Sequence, residues 1–205
     1  MRRRVAALCA IALAGLSVAC TARRQPAERA ETGQPYGIYR ATYGAPDEKP
    51  HSFRVLLYAA LPDRLHAEVL PPVGGPRLVL DGGGGRLAVT LPGRDESWAG
   101  AASGEHVGRV LGFPLELHEL VGAVLQGTSL GGDVAMTRVP AAGGDLPRTF
   151  ELRFEGRWLR LDLERRRRAR GAAADMGTGT PPPGTEVHPL HELSVEIAPL
   201  GLGEG

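Results

Sequence analysis

Cysteine is scarce in this chain: two residues in 205, Cys9 and Cys20. Cys9 lies inside an apolar N-terminal stretch that reads as a removable leader. One thiol then remains, so no internal disulfide can form. No Cys/His quartet with zinc-finger spacing is present either, which excludes a structural zinc centre of that kind. A dominant charge is also missing. Of 24 basic residues, three belong to the leader, and the remaining 21 face 23 acidic ones. So even a balance argues against nucleic acid as a partner. Long apolar runs are absent too. Val5 to Val18 is the one candidate, and it is too short and wrongly flanked for a stable membrane span.

The N-terminus carries an export signature. Arg2, Arg3 and Arg4 precede the apolar stretch, and "LSVAC" closes it at Cys20. Residues 1–19 read as a signal peptide. Ala19 directly before Cys20 resembles the bacterial lipobox, in which the cysteine thiol receives diacylglycerol and becomes the new N-terminus. Acylation would also explain a lone exported cysteine, and two or three acyl chains anchor firmly where one holds only marginally. Residues 20–34 then form a lipidated N-terminus and polar tether. Thr21 after the cysteine, by the same resemblance, points to the outer membrane, facing the periplasm. The remaining length suits one domain, residues 35–200, with a short tail at 201–205.

Period-two alternation recurs through the body. Phe53, Val55 and Leu57 share a face, although Leu56 and Tyr58 make the opposite face apolar as well. Leu65, Ala67 and Val69 alternate with Arg64, His66 and Glu68; Leu78, Leu80, Leu87, Val89 and Leu91 continue the pattern. Phe150, Leu152 and Phe154, then Leu159, Leu161 and Leu163, and finally Leu193, Val195 and Ile197 alternate with polar partners. These are expected to be antiparallel strands with one wet and one oily face. Helical spacing appears only in the middle. Ser103 is placed to cap a short helix carrying Val107, Val110 and Leu111, and Gly112 and Pro114 interrupt it. Leu117, Leu120, Val121, Val124 and Leu125 then mark a second helix, stopped by Gly127. The fold class expected is mainly β (α+β), a curved antiparallel half-barrel of about eight to eleven strands with two central helices as lid. About 25 helical residues cannot blanket so wide a sheet. Either it curls closed over its own core or it keeps a hollow with an apolar lining.

Catalytic patterns are weak. "GTSLG" at Gly127–Gly131 has the letters of a nucleophile elbow, but a helix precedes it where a strand is needed. His188 and His191 flank Pro189, which disfavours a helical metal site. "DGGGGR" from Asp81 to Arg86 joins two strands and opens no helix, so it reads as a hairpin turn. Arg165 to Arg168, with Arg170, reads as a solvated strand end or as a contact for anionic headgroups. Gly171 to Gly184 reads as a flexible loop. No enzyme and no cofactor is indicated.

The order of four segments carries a resemblance: "DRLHAEVLPPVGGPRLVL", "GRLAVTLPG", "SWAGAASGEHVGRVLGFPLELHEL" and "VGAVLQG". Together they resemble the LolB family within the LolA/LolB-like half-barrels, lipoproteins that receive other lipoproteins from a periplasmic carrier. The resemblance implies an apolar cavity that holds acyl chains, lined here by Phe53, Val55, Leu57, Leu65, Val69, Leu78, Leu80, Leu87, Val89, Leu120 and Val124. In that family an apolar residue at the tip of a loop between two strands enters the membrane. Val73, between Pro72 and Gly74, falls on that position. The partners implied are an acylated lipoprotein or lipid, a LolA-like periplasmic carrier and the membrane reached through the anchor. The alternative is a structural lipoprotein of the envelope whose half-barrel docks a protein partner and carries no lipid.

Overall fold

A computed structural model describes residues 34–142, 146–169 and 176–193. Among the described residues, ten strands, two α-helices and one 3-10 turn succeed one another. They are β1 (Gln34–Gly44), β2 (His51–Ala60), β3 (Arg64–Leu70), β4 (Leu78–Gly83), β5 (Arg86–Leu91) and β6 (Glu96–Ala101). Next come α1 (Gly104–Leu111), α2 (Leu117–Gln126), β7 (Ala135–Pro140), β8 (Pro147–Phe154), β9 (Arg157–Ala169) and β10 (Glu186–Pro189), with the 3-10 turn at Leu190–Glu192. The strands build one open half-barrel in the order β10-β6-β5-β4-β3-β2-β1-β9-β8-β7.

Side-chain parity aligns the oily positions across the sheet. Val55 stands opposite Tyr39 on β1 and Val69 on β3. Leu80 stands opposite Ala67 and Val89, and Leu161 opposite Ala41 and Phe150. All of these except the half-buried Ala67 are buried, and each large apolar side chain removed from water contributes about 1.5–3 kcal/mol. Because the period is two, a one-residue slip would turn this whole set outward, so the register is strongly specified.

The helices form where capping and apolar spacing coincide. Ser103 accepts a hydrogen bond from the His106 N–H at 3.4 Å and starts α1, while Gly112 ends it in the left-handed conformation. Glu116 joins the two helices: its Oε1 accepts the Gly104 N–H at 2.8 Å, and its own N–H donates to Glu119 Oε2 at 3.2 Å. Leu117, Leu120, Val121 and Val124 make the buried face of α2, as their spacing predicts. That helix packs against β2, β3, β7 and β8. From β7, Arg138 Nε donates to the Val124 carbonyl and Nη2 to the Leu125 carbonyl, both at 2.8 Å. A guanidinium at a helix C-terminus satisfies carbonyls that have no partner within the helix and complements the dipole.

The expected antiparallel half-barrel with two central helices is the fold observed, and one pairing among the described strands departs from it, β10 joining β6 in parallel. Other expectations need correcting. The last described strand lies earlier than Leu193. Pro189 ends it, and Leu190 begins a 3-10 turn whose side chain fills the space left by Gly100, where a Cβ would lie 2.9 Å from Leu190 Cβ. Leu193 is buried beyond that turn, and Val195 and Ile197 lie outside the described residues. Four strands, β1, β6, β7 and β10, have no counterpart among the apolar alternations. β1 packs its face with Gly37, Tyr39, Ala41 and Tyr43, a tyrosine-and-small alternation that apolar counting overlooks.

The outer face is not wet throughout. Tyr58 is buried on it, as is Asp81. Arg64 lies over the Tyr58 ring, and Asp81 is covered by a strap, Met176–Gly179, which belongs to the stretch read as a flexible loop. Asp81 Oδ2 accepts the Gly177 N–H at 2.9 Å, and Oδ1 accepts the Thr178 and Gly179 N–H groups at 2.7 Å each. Gly177 and Gly179 have φ of 69° and 68°, a conformation that glycine reaches without cost and that turns successive N–H groups toward one anion. Arg64 holds the other side of the strap, donating to the Gly177 carbonyl at 3.1 Å and to that of Met176. Residues 171–175 of the expected loop lie outside the described residues. The hairpin reading of Asp81–Arg86 holds: Gly84 and Gly85, with φ of 59° and 71°, make the two-residue turn between β4 and β5.

Candidate functional site: an apolar hollow and an exposed loop tip

Between the inner face of the sheet and α2 lies a hollow of ≈ 90 Å³. Phe53, Val55, Leu57, Leu65, Val69, Leu78 and Leu80 line it from β2, β3 and β4, and Leu120 and Val124 line it from α2. Phe150, Leu152, Leu159 and Leu161 complete the far wall, and Leu111 at the end of α1 closes a corner. Every lining residue is apolar, so the hollow offers nothing to hydrogen-bond a water and suits an apolar occupant.

Leu87 and Val89 are buried in the same core but do not line this hollow, which corrects their expected place. A Cβ on Gly82 would fall 2.7 Å from Leu117 Cδ2 and 3.3 Å from Leu87 Cδ1, so those two leucines close over that glycine beneath the first turn of α2. Val89 pairs with Trp98 one strand farther toward the edge. Size sets a limit on what the closed form holds. Sites for drug-sized ligands span about 300–1,000 Å³, several times this volume. A ligand of that size is therefore larger than the hollow as it stands.

The loop between β3 and β4 is tied at its base, where the Arg77 N–H donates to the Val69 carbonyl at 3.0 Å. Above that bond Pro71, Pro72 and Pro76 restrict the backbone. Val73 stands at the tip with 88% of its surface exposed, and Gly74 beside it takes φ of 100°. Val73 does not touch the hollow, whose nearest residues to the loop are Val69 and Leu78.

The other residues singled out in the sequence do not converge. Ser129 of "GTSLG" is exposed in the loop after α2. His188 sits on β10 against Trp98, ring centroids 5.6 Å apart, and His191 lies in the 3-10 turn. Among the described residues no group of three His, Cys, Asp or Glu side chains is gathered to hold a metal. The arginine run splits between faces because successive strand residues alternate, and a bulge opposite Ile38 and Tyr39 shifts its register. Arg166 donates to the Ala142 carbonyl at 3.2 Å and the Leu146 carbonyl at 3.4 Å. Nearby, Tyr39 donates to the Pro147 carbonyl at 2.9 Å, and burial pushes its phenol well above the usual range. Arg170 and Cys20 lie outside the described residues.

One cluster escapes sequence reasoning. His66 Nδ1 lies 2.7 Å from Asp81 Oδ2, and Nε2 lies 3.0 Å from Glu68 Oε1. Burial alone would lower the His66 pKa, but hydrogen bonds to the two carboxylates outweigh it and raise the value from 6.5 to about 9. Burial would likewise raise the Asp81 pKa; the His66 contact and the three strap N–H groups hold it below its ordinary value. Its role is to fasten the strap. The signal was present in the His66 and Asp81 identities, but only the β3–β4 register, which sets those two residues opposite each other, brings them together.

The sequence matches no protein-family profile, and no curated protein aligns with it. Among solved structures, the chain is similar to a LolA superfamily protein from Nitrosomonas europaea. That likeness has 12% identity, covers 72% of this chain and 91% of the other, and gives a TM-score of 0.44.

Proposed function

We propose that this protein is a lipid-anchored, non-enzymatic acyl-chain carrier of the cell envelope. It takes up the chains of a lipid or an acylated protein beneath α2 and helps deliver them to the outer membrane. The observation that carries this reading is the wholly apolar hollow under a helix that two polar attachments hold in place. Lifting α2 exposes Leu117, Leu120, Val121 and Val124, which costs about 6–12 kcal/mol. Each cargo methylene buried contributes about 0.8 kcal/mol, so about eight to fifteen of them offset the opening. A pair of long acyl chains carries more than that, whereas short ones do not, and the site selects for length. Cys20 is the anchor, the cargo arrives from a LolA-like carrier, and Val73 is the point that enters the bilayer. Delivery and storage are thereby assigned to separate parts of one sheet.

The decisive test is occlusion. Val124→Trp fills the hollow from the lid side. Binding of a fluorescent long-chain acyl probe should fall at least tenfold while far-ultraviolet dichroism is unchanged. Undiminished binding by a folded Val124→Trp protein would place the ligand elsewhere.

One observation favours a second reading. β7 is an edge strand of the described sheet, and a partner's strand could add to it. On that reading the half-barrel is a docking module, and the acyl probe does not bind at all.

A further inference from the structure

Phe53 borders two recesses of opposite character. On the inner face it ends the apolar hollow; on the outer side it adjoins a cleft of ≈ 460 Å³. The pairing of β2 with β3 stops at Arg54 opposite Leu70, so Phe53 has no β3 neighbour. The loop that begins at Pro71 takes over there, and the two recesses meet at this rim.

The cleft is basic. Arg40 and Arg54 stand opposite each other in register and share one carboxylate. Glu164 Oε1 accepts from Arg40 at 3.2 Å, and Oε2 accepts from Arg54 Nε at 3.0 Å. Arg77 also lines the cleft, and its guanidinium has no hydrogen-bond or ion-pair partner among the described residues. Three guanidinium groups therefore face one carboxylate. Glu164 is mostly buried, with 20% of its side chain exposed, so it fixes Arg40 and Arg54 in place and leaves their outer edges open. Ser52, whose hydroxyl lies 3.2 Å from that of Thr42, adds a polar group to the lining. A planar guanidinium matches phosphate oxygens two at a time. The volume also falls within the range of about 300–1,000 Å³ typical of small-molecule sites.

We infer that this cleft is a headgroup site, and that the preferred cargo is an anionic phospholipid whose phosphate rests on Arg54 and Arg77 while its acyl chains pass Phe53 into the hollow. This rests on the acyl-carrier reading and narrows it. A neutral diacylglycerol has the same chains but nothing for the arginines to hold.

The test uses purified full-length protein and two probes with identical fluorescent acyl chains, phosphatidylglycerol and diacylglycerol. Wild type should bind the phosphatidylglycerol probe about tenfold more tightly at low salt, the combined effect of two exposed ion contacts. That preference should shrink at high ionic strength, where the Debye length falls to about 3 Å. Arg54→Gln with Arg77→Gln should abolish the preference and leave diacylglycerol binding unchanged. Glycerol 3-phosphate at millimolar concentration should not displace the lipid, because the chains supply most of the affinity. Equal affinity for both probes in wild type, or a preference that survives the double substitution, overturns the headgroup site alone. Displacement by glycerol 3-phosphate assigns the cleft to soluble phosphates and overturns the lipid assignment. Binding of neither probe overturns the carrier reading and this inference with it.

Discussion

Raising the pH should loosen the strap before it unfolds the sheet. Both His66 ring nitrogens face carboxylate oxygens, at 2.7 Å from Asp81 and 3.0 Å from Glu68, so the ring donates two hydrogen bonds only when protonated. Its pKa is raised in the fold, from 6.5 to about 9. A group raised in this way contributes fully below 6.5, less through the interval, and nothing above about 9. At about 1.36 kcal/mol for each tenfold change in proton affinity, the interval corresponds to about 3 kcal/mol. The side chain is 12% exposed, so screening is slight. Relaxation of the flexible Glu68 carboxylate reduces the usable part to about 2 kcal/mol. For a domain of this size that is about 4–8 °C in melting temperature. The assay is thermal unfolding by circular dichroism at closely spaced pH values from 6 to 9.5. Wild type should lose that amount across the range. His66→Gln should begin lower at pH 6 and then stay nearly flat. If His66→Gln falls as steeply as wild type, the imidazole is not the titrating fastener.

At the acid end, Asp81 is held below its ordinary pKa, so its contribution is present above about 3.9 and disappears as pH falls through the lowered value. Asp81→Asn should remove this acid limb of the melting curve, measured between pH 5 and 2. Replacing Cys20 by Ser should release the protein from membranes into the soluble fraction, as followed by fractionation and intact mass. A variant that stays membrane-bound with unchanged mass would end the anchor reading. Val73→Glu should leave acyl-probe binding intact and abolish transfer to liposomes, since a carboxylate at membrane depth costs a few kcal/mol. Val73→Leu should transfer at least as well as wild type because it buries more apolar area, and equal transfer by both variants would remove the loop tip from delivery.

The strands that were legible in the sequence are those whose inner positions carry Leu, Val or Phe. β3, β4 and β5 obey the alternation of Leu65 through Leu91, and both helices are marked by Ser103, Gly112 and Gly127 with their apolar spacing. β1 escaped because tyrosine, alanine and glycine take the inner positions of a central strand. β6 escaped because Ser97 and Gly100 look like loop chemistry; in the fold Ser97 is fully buried and bonds Thr90 at 2.9 Å. The hollow was legible as an apolar face, yet its boundary was not. Leu80 and Leu87 look alike in sequence, and only the approach of Leu117 to Gly82 sets Leu87 apart from the lining. The strap was illegible in principle: its partner, Asp81, is 96 residues from Gly177, and nothing local in "DMGTGT" announces a carboxylate waiting to receive three N–H groups.

The first described strand of the chain occupies the middle of the sheet, with consequences for biogenesis. β1 has β2 on one side and β9 on the other, and the second pairing runs from Gln34 opposite Ala169 to Gly44 opposite Trp158. Until Arg157–Ala169 has left the ribosome, one whole edge of β1 lacks its backbone partners and Tyr39 lacks the Pro147 carbonyl. Pairings this distant must overcome chain-closure entropy before they return any stability. The nascent chain accordingly has a local β2–β5 meander available early, but no completed core until most of its length is made. Such a chain folds in the millisecond-to-second regime of non-local β topologies, so the free edge of β1 stays unpaired long after that strand is made.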